Sequence, residues 1–303
     1  MNLTKSSPQK SKNVVSEQSG LLLAIIGPTC SGKTQSAIDT ARQTGAEIIC
    51  ADSRTIYRGM NIGTAKPTSE ETALIPHYGL DLIDPDEQFS ASDFQTYAYQ
   101  KMDEIWSRGN PVILVGGSGM YLDAVLYGYN FRTEKMRAEI ERMDNDQLVD
   151  LIEKEYPDTL KADDVNNTRR LRQILTRGPS SKSDREHLKY NVKIIGISPE
   201  KSILQKRIRI RAKDMLNNGL VQEYKMITKT WGSDCVALST IGYASVGRYL
   251  KDKLHMEELE DDIVRSSMRL VKKQMTWFKR NQHIEWMKSP KEAADKAIFY
   301  LNG

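Results

Sequence analysis

Eight residues constrain this chain more than any others. Gly27-Pro28-Thr29-Cys30-Ser31-Gly32-Lys33-Thr34 matches the pattern G-x-x-x-x-G-K-[ST]. An apolar run, Leu21 to Ile26, precedes it, and a patterned segment from Lys33 to Gln43 follows and stops at Gly45. Strand, glycine-rich loop and helix, in that order, are the setting in which backbone N–H groups turn inward around a phosphate. Lys33 adds a point charge there, and the Thr34 hydroxyl can join the shell of a Mg²⁺ ion. All eight residues are therefore expected at a phosphate, with Thr34 as the metal ligand and Mg²⁺ as the cofactor. What the phosphate belongs to stays open, because the same loop serves ATPases, kinases and other phosphate-ester enzymes.

The rest of the chain reads as an α/β fold with one interruption. Glu47 to Cys50 is a second short strand, and Val112 to Val115 is a third that ends in Gly116-Gly117-Ser118-Gly119. Between them, Ser90 and Asp93 form a capping box for a helix running to about Arg108, ahead of Gly109-Asn110-Pro111. Continuous apolar strands alternating with helices indicate a parallel sheet covered on both faces. From about Thr133 the texture changes. Thr133 to Arg142, Asp146 to Glu155 and Asn167 to Thr176 read as helices with no strand between them. Lys193 to Ile197 returns to strand character, Ser202 to Met215 is helical, and a long helical segment spans Leu259 to Arg280. The expected organisation is a disordered tail over 1–20 and a P-loop NTPase-like parallel sheet flanked by helices over 21–130 and 190–303. A small all-helical insertion domain fills 131–189.

Charge and cysteine content narrow the function classes. The net charge of the 303 residues is only +4, but it is unevenly spread. Lys201, Lys206, Arg207, Arg209, Arg211 and Lys213 form one basic stretch without an acid, and Arg265, Arg269, Lys272, Lys273, Lys279 and Arg280 form another. Such stretches suit a polyanion such as nucleic acid or diphosphate, although either one alone reads as a solvated helix face. Cys30, Cys50 and Cys235 have no paired spacing, which speaks against a disulfide framework or a cysteine zinc site and for a reducing, cytoplasmic setting. Cys30, inside the loop, reads as a small filler. The four histidines form no metal-spaced set, no apolar run is long enough for a membrane span, and the N-terminus lacks a secretory signal.

The segment that separates the possible phosphate chemistries is ADSRTIYRGMNIGTAKP, Ala51 to Pro67. It sets Asp52 straight after the second strand, at the sheet edge where ligands bind in such folds. A hydrolytic NTPase would carry a metal-holding acid after an apolar strand, whereas the third strand here runs into Gly-Gly-Ser-Gly with no acid before Asp123. A small-molecule kinase remains compatible with these residues.

Taken with GPTCSGKT, IPHYGLDLIDP, FSASDFQ, GGSGMYL, NNTRRLRQIL, RIRAKDMLNNGL, STIGY and KKQMTWFKR, the segment resembles the tRNA dimethylallyltransferase (tRNA isopentenyltransferase) family. The matching runs occur in the family's order from Leu21 to about Trp286, and with no Cys/His zinc finger the resemblance is to the bacterial type. It implies transfer of a dimethylallyl group from dimethylallyl diphosphate to N6 of the adenosine 3′ of the anticodon. The implied catalytic residues are Asp52 as general base, Ser118 where the family usually has Thr, and Arg211 beside the diphosphate. The implied partner is a tRNA anticodon stem-loop. It would be held by Asp52, Ser53, Arg54 and Thr55; by Thr168, Arg169, Arg170, Leu171 and Arg172; by Ser239, Thr240, Ile241, Gly242, Tyr243 and Ala244; and by Lys272, Lys273, Gln274, Met275, Thr276, Trp277, Phe278 and Lys279. On their own, Trp277 and Phe278 read as helix core residues. The RNA-facing motifs depart from the family in STIGYAS, where a basic and an acidic residue commonly follow IGY, and at the start of MRLVKKQMTWFKR. A monomer without membrane attachment is expected. The competing functions are a transferase acting on free adenine nucleotides, a P-loop small-molecule kinase, and a non-catalytic RNA-binding module.

Overall fold

Every residue of β1 (Leu22–Ile26), β2 (Glu47–Ala51) and β4 (Val112–Gly116) is buried, which continuous apolar strands require when both faces of a sheet are covered. The computed structural model describes residues 20–129, 131, 134–157, 159–160, 164–177 and 187–303. Nearly all of the expected tail lies outside these residues. With β3 (His77–Tyr78), β5 (Val192–Ile197) and β6 (Ile284–Met287), the strands form one parallel sheet in the order β3-β2-β4-β1-β5-β6. β1 is central: Leu22 lies opposite Val112 of β4 and Val192 of β5. Alternate residues of β1 divide two cores. Leu23 and Ile25 pack with α1 (Lys33–Thr44) and α12 (Pro290–Leu301); Leu22, Ala24 and Ile26 pack with α3 (Ala91–Ser107) and α4 (Gly119–Tyr127).

Local signals set the helix ends. Ser90 and Asp93 do form a capping box at α3, and Gly45 ends α1 at φ 68° with its N–H on the Ala41 carbonyl. A short helix, α2 (Ser69–Leu74), carries a second box from Thr68 and Glu71. β3 and β6 were not expected. β3 is two residues long, and β6, IEWM, sits at the sheet edge with Glu285 and Trp286 exposed, so neither carries a buried apolar run. Both depend on neighbours already in place: Ile48 with His77, and Ile194 with Ile284.

Among the described residues, three helices come between α4 and β5: α5 (Glu134–Arg142), α6 (Asn145–Glu155) and α7 (Thr168–Arg177). They have their own small core of Ile140, Leu148, Ile152, Leu171, Ile174 and Leu175. After β5, α8 (Lys201–Asn217), α9 (Leu220–Trp231), a 3₁₀ turn (Val236–Ser239), α10 (Tyr243–Tyr249) and α11 (Met256–Phe278) build a helical layer. Its core joins Leu204, Ile208 and Ala212 of α8 to Leu259, Ile263 and Val271 of α11, and takes in Ile56, Tyr57 and Met60. The run after β2 is thereby packed under the helical layer, facing the end of β1.

One buried carboxylate secures the opposite edge of the sheet. Glu47, at the start of β2, takes hydrogen bonds from Arg108 (2.8 Å), Asn110 (2.8 Å) and Tyr78 (2.7 Å). Burial pushes its carboxyl upward, but these donors outweigh burial and hold it below the usual 4.5. A depressed carboxyl stabilises the fold above its ordinary titration range, and the stabilisation is lost as the pH falls through the folded value. Glu47→Gln is expected to cost about 1–3 kcal/mol in urea unfolding at neutral pH and to flatten the acid limb of stability below the usual carboxylate range. Unchanged stability at neutral pH would show that the cluster contributes nothing.

Candidate active site

The glycine-rich loop leaves β1 and is held by side chains from three distant helical segments. Cys30 takes a left-handed φ of 61° and Gly32 one of 92°. A Cβ on Gly32 would stand 2.4 Å from Pro290, so close packing as well as conformation calls for glycine there. Lys33 Nζ donates to the Pro28 carbonyl at 3.1 Å, and Arg207 Nη1 donates to the Ser31 carbonyl at 3.1 Å. Arg211 spans two segments: Nη1 donates to Thr29 Oγ1 and Nη2 to the Thr64 carbonyl, each at 3.1 Å. Gln274 of α11 accepts the Thr29 N–H at 2.9 Å and donates to the Gly117 carbonyl at 3.0 Å, bridging the ends of β1 and β4. Loss of water around Lys33 lowers its ammonium below the ordinary 10.5. Asp52 opposes that shift, Arg211 adds to it, and Cys30 opposes it.

Asp52 and Ser118 follow neighbouring strands, and Ser118 meets the residues on either side of Asp52 across them. Ala51 pairs with Gly116, where a Cβ would lie 2.0 Å from the Ala51 carbonyl oxygen. The Ser118 N–H donates to that same carbonyl at 3.2 Å. Ser118 Oγ accepts the Ser53 N–H at 2.8 Å and donates to Ser53 Oγ at 3.1 Å. Asp52 Oδ1 accepts the Arg54 N–H at 2.9 Å, the turn by which an Asx side chain fixes its own loop. Beneath it, burial and the Asp52 charge push the Cys50 thiol up to about 12, so Cys50 is inert packing.

These groups line one cavity of about 400 Å³. Thr29, Cys30 and Lys33 come from the loop, Asp52, Ser53 and Arg54 from the end of β2, Ser118 from the end of β4 and Arg211 from α8. Thr240, Ile241, Lys273, Gln274 and Trp277 complete the expected residues found there. Thr240 Oγ1 is buried and has no hydrogen-bond partner among the described residues. Thr34 lies just outside, exposed at the start of α1. Thr168, Arg169, Arg170 and Arg172 lie on α7, away from the cavity lining.

Several residues expected to contact RNA have buried side chains. Leu171 and Tyr243 are wholly buried, Phe278 is 2% exposed and Thr55 is 6% exposed. Leu171 is core in the helical insertion, Phe278 packs under the sheet and Tyr243 lies in the helical layer. Their side chains support the surfaces expected to face RNA and do not form them. Trp277 is only partly buried; its Nε1 donates to the buried Asp123 at 2.9 Å, and its indole lies where a Cβ on Gly119 would sit.

Reasoning from motifs missed the apolar wall of the cavity. Ile208, Ala212 and Met215 of α8 and Ile263 and Leu270 of α11 line it. The helical spacing of these positions was the available signal. Lys66 also acquires a role: its buried ammonium donates to the Tyr57 carbonyl at 2.8 Å and pairs with Asp81 at 2.5 Å, closing the run after Asp52. The basic stretches divide. Arg207 and Arg211 turn into the loop, and Arg209 pairs with Glu260 and Asp261, while Lys272, Lys273 and Arg280 frame a second hollow of about 250 Å³ beside Trp277.

The chain is similar in sequence and fold to known proteins. The family model described as IPP transferase matches residues 55–281. A tRNA dimethylallyltransferase of Anoxybacillus flavithermus is 34% identical over 290 residues, covering 92% of both chains. The crystal structure of a full-length tRNA isopentenylpyrophosphate transferase from Bacillus halodurans superposes with a TM-score of 0.70 at 33% identity, over 93% of this chain and 97% of that one. One from Staphylococcus epidermidis gives 0.72 at 30%, over 93% and 99%. With the family match running from Thr55, three residues after Asp52, through Arg211 and Gln274 to the end of α11, the chain belongs to the IPP transferase family.

Proposed function

We propose that the protein transfers a dimethylallyl group from dimethylallyl diphosphate to the exocyclic N6 of the adenosine immediately 3′ of a tRNA anticodon. The observation that carries this is a single cavity that holds cations, a carboxylate and an apolar wall together. An exocyclic adenine amine is a weak nucleophile, so the bond from the allylic carbon to the diphosphate must loosen as N6 approaches. Lys33, Arg211 and the loop N–H groups meet the charge that grows on the departing diphosphate. The N–C bond forms as the C–O bond breaks, the diphosphate leaves with the electron pair, and the amine's proton passes to Asp52. Ile208, Ala212, Met215, Ile263 and Leu270 receive the hydrocarbon and exclude water. Ser118, bonded to Ser53 through both its donor and its acceptor, braces the Asp52 turn.

The donor set fits a Mg²⁺ ion held mainly by the diphosphate's own oxygens and water. Thr34 presents an exposed hydroxyl directly after Lys33, and among the described residues no three His, Cys, Asp or Glu side chains gather into a metal site of their own. Bound there, the ion would add positive charge against the leaving diphosphate.

RNA would reach the cavity from the side of α11 and α7. The target base must leave its stack to bring N6 to Asp52. Exposed Lys272, Lys273 and Lys279 are suited to phosphates, Trp277 to stacking, and Thr240 Oγ1 to a polar group of the base. Arg169, Arg170 and Arg172 on α7 would hold the stem-loop further out. Among the described residues no helix is long and apolar enough to cross a membrane. One chain supplies every group used, so a cytosolic monomer suffices.

Mass analysis of nucleosides from unmodified tRNA treated with the protein and dimethylallyl diphosphate should show the dimethylallyl adduct of adenosine; modification of AMP alone would overturn the assignment. Asp52→Asn should lower transfer by roughly 10²- to 10⁴-fold. Diphosphate binding should hold or tighten in that variant, because the carboxylate that repels the anion is gone. Unimpaired transfer would remove Asp52 as the base. Chelation by EDTA should cut transfer by roughly tenfold or more, with recovery on added Mg²⁺. Full activity in EDTA would discard the ion.

A further inference from the structure

The run Gly59 to Pro67 carries no catalytic group, yet it is held by an unusual set of bonds. Glu223, in the first turn of α9, lays its carboxylate over three successive backbone N–H groups. Oε2 accepts from Asn61 and Ile62, each at 2.9 Å, and Oε1 accepts from Ile62 and Gly63, each at 3.1 Å. Tyr243 donates its hydroxyl to Oε1 as well. Burial, reinforced by the Glu223 charge, raises the Tyr243 phenol and keeps it a donor. Successive N–H groups turned to one side form an anion-binding nest, and here the chain's own carboxylate fills it. Gly63 is required at this place, since a Cβ would stand 2.3 Å from the Tyr243 ring.

The next residue reaches the site. Gly63 and Thr64 line the cavity, and the Thr64 carbonyl accepts from Arg211 Nη2 while Arg211 Nη1 holds Thr29 of the phosphate loop. We propose that Glu223 is a positioning residue for the diphosphate end of the site. Its carboxylate sets the 61–64 turn, and the Thr64 carbonyl then aims the Arg211 guanidinium across the phosphate loop. The assignment rests on the prenyl-transfer function in taking diphosphate as the ligand. Glu223 itself touches no substrate; its effect passes through Arg211.

The test is a double-mutant cycle on the binding of inorganic diphosphate, titrated by calorimetry with unmodified tRNA present. Glu223→Gln keeps the shape but turns an NH₂ group toward N–H or O–H donors on one side. It should weaken diphosphate binding roughly 10- to 100-fold. Arg211→Lys keeps the charge but cannot span Thr29 and Thr64, so on that background Glu223→Gln should add little further loss. Glu223→Asp, which keeps the charge and withdraws it by one methylene, should also weaken binding, and serves if the glutamine variant fails to fold. Wild-type affinity in a folded Glu223 variant, or losses that add fully with Arg211→Lys, would overturn the assignment. Because the readout is binding, a wild-type protein that binds diphosphate but transfers nothing would fail the prenyl-transfer function and leave the Glu223 cycle to be judged separately.

Discussion

The site is organised around an ammonium group that its surroundings work to discharge. Lys33 has lost water around Nζ, and Arg211 adds like charge; Asp52, from the neighbouring strand, works to keep it ionised. That balance links the loop electrostatically to the end of β2. It also explains why Asp52 stands in an apparently unfavourable place for an anion-binding fold. Before an anion arrives, the carboxylate supports the cation.

The cations are held in place by the ends of other elements. Arg211 is aimed by Thr29 and Thr64, Arg207 by the Ser31 carbonyl, and the loop's Thr29 N–H by Gln274. Each of these groups lies at least 147 residues from its partner in sequence, the smallest separation being that of Arg211 from Thr64. The helical layer after β5 is therefore a scaffold for the phosphate loop as well as a surface.

What could be read from the sequence follows from how local the determining physics is. The strands LLAII and VILVG are legible because both faces are buried and every residue must be apolar. Ser90 and Asp93 are legible because a capping box satisfies N–H groups three residues away. The loop is legible because its glycines and lysine act within one turn. β6 is not: half of IEWM faces solvent, and only β5 beside it makes it a strand. The burial of Tyr243, Phe278 and Leu171 was equally hidden, because a motif assigns a segment to a surface without saying which side chains point inward. The acid-free character of the basic stretches proved a property of the sequence alone. In space Glu260 and Asp261 answer Arg209, and Asp262 answers Arg248 and Arg265.

The apolar wall leads to a last consequence of the fold. In many α/β proteins the core lies between sheet and helices and the site sits above it on loops. Here Ile208, Ala212, Met215 and Ile263 belong both to the packed interface of α8 with α11 and to the cavity lining. An allylic group that is becoming cationic must be kept from water, or hydrolysis would compete with transfer to an amine. A wall made of interhelical core is dry and rigid because close packing makes it so. The cost is that the site cannot be tuned independently of stability: a change in side-chain volume along α8 alters the room for the hydrocarbon and the packing of α11 together. Since α11 also carries Gln274 and Trp277, a shift of that helix reaches the phosphate loop and the surface proposed to face RNA at once.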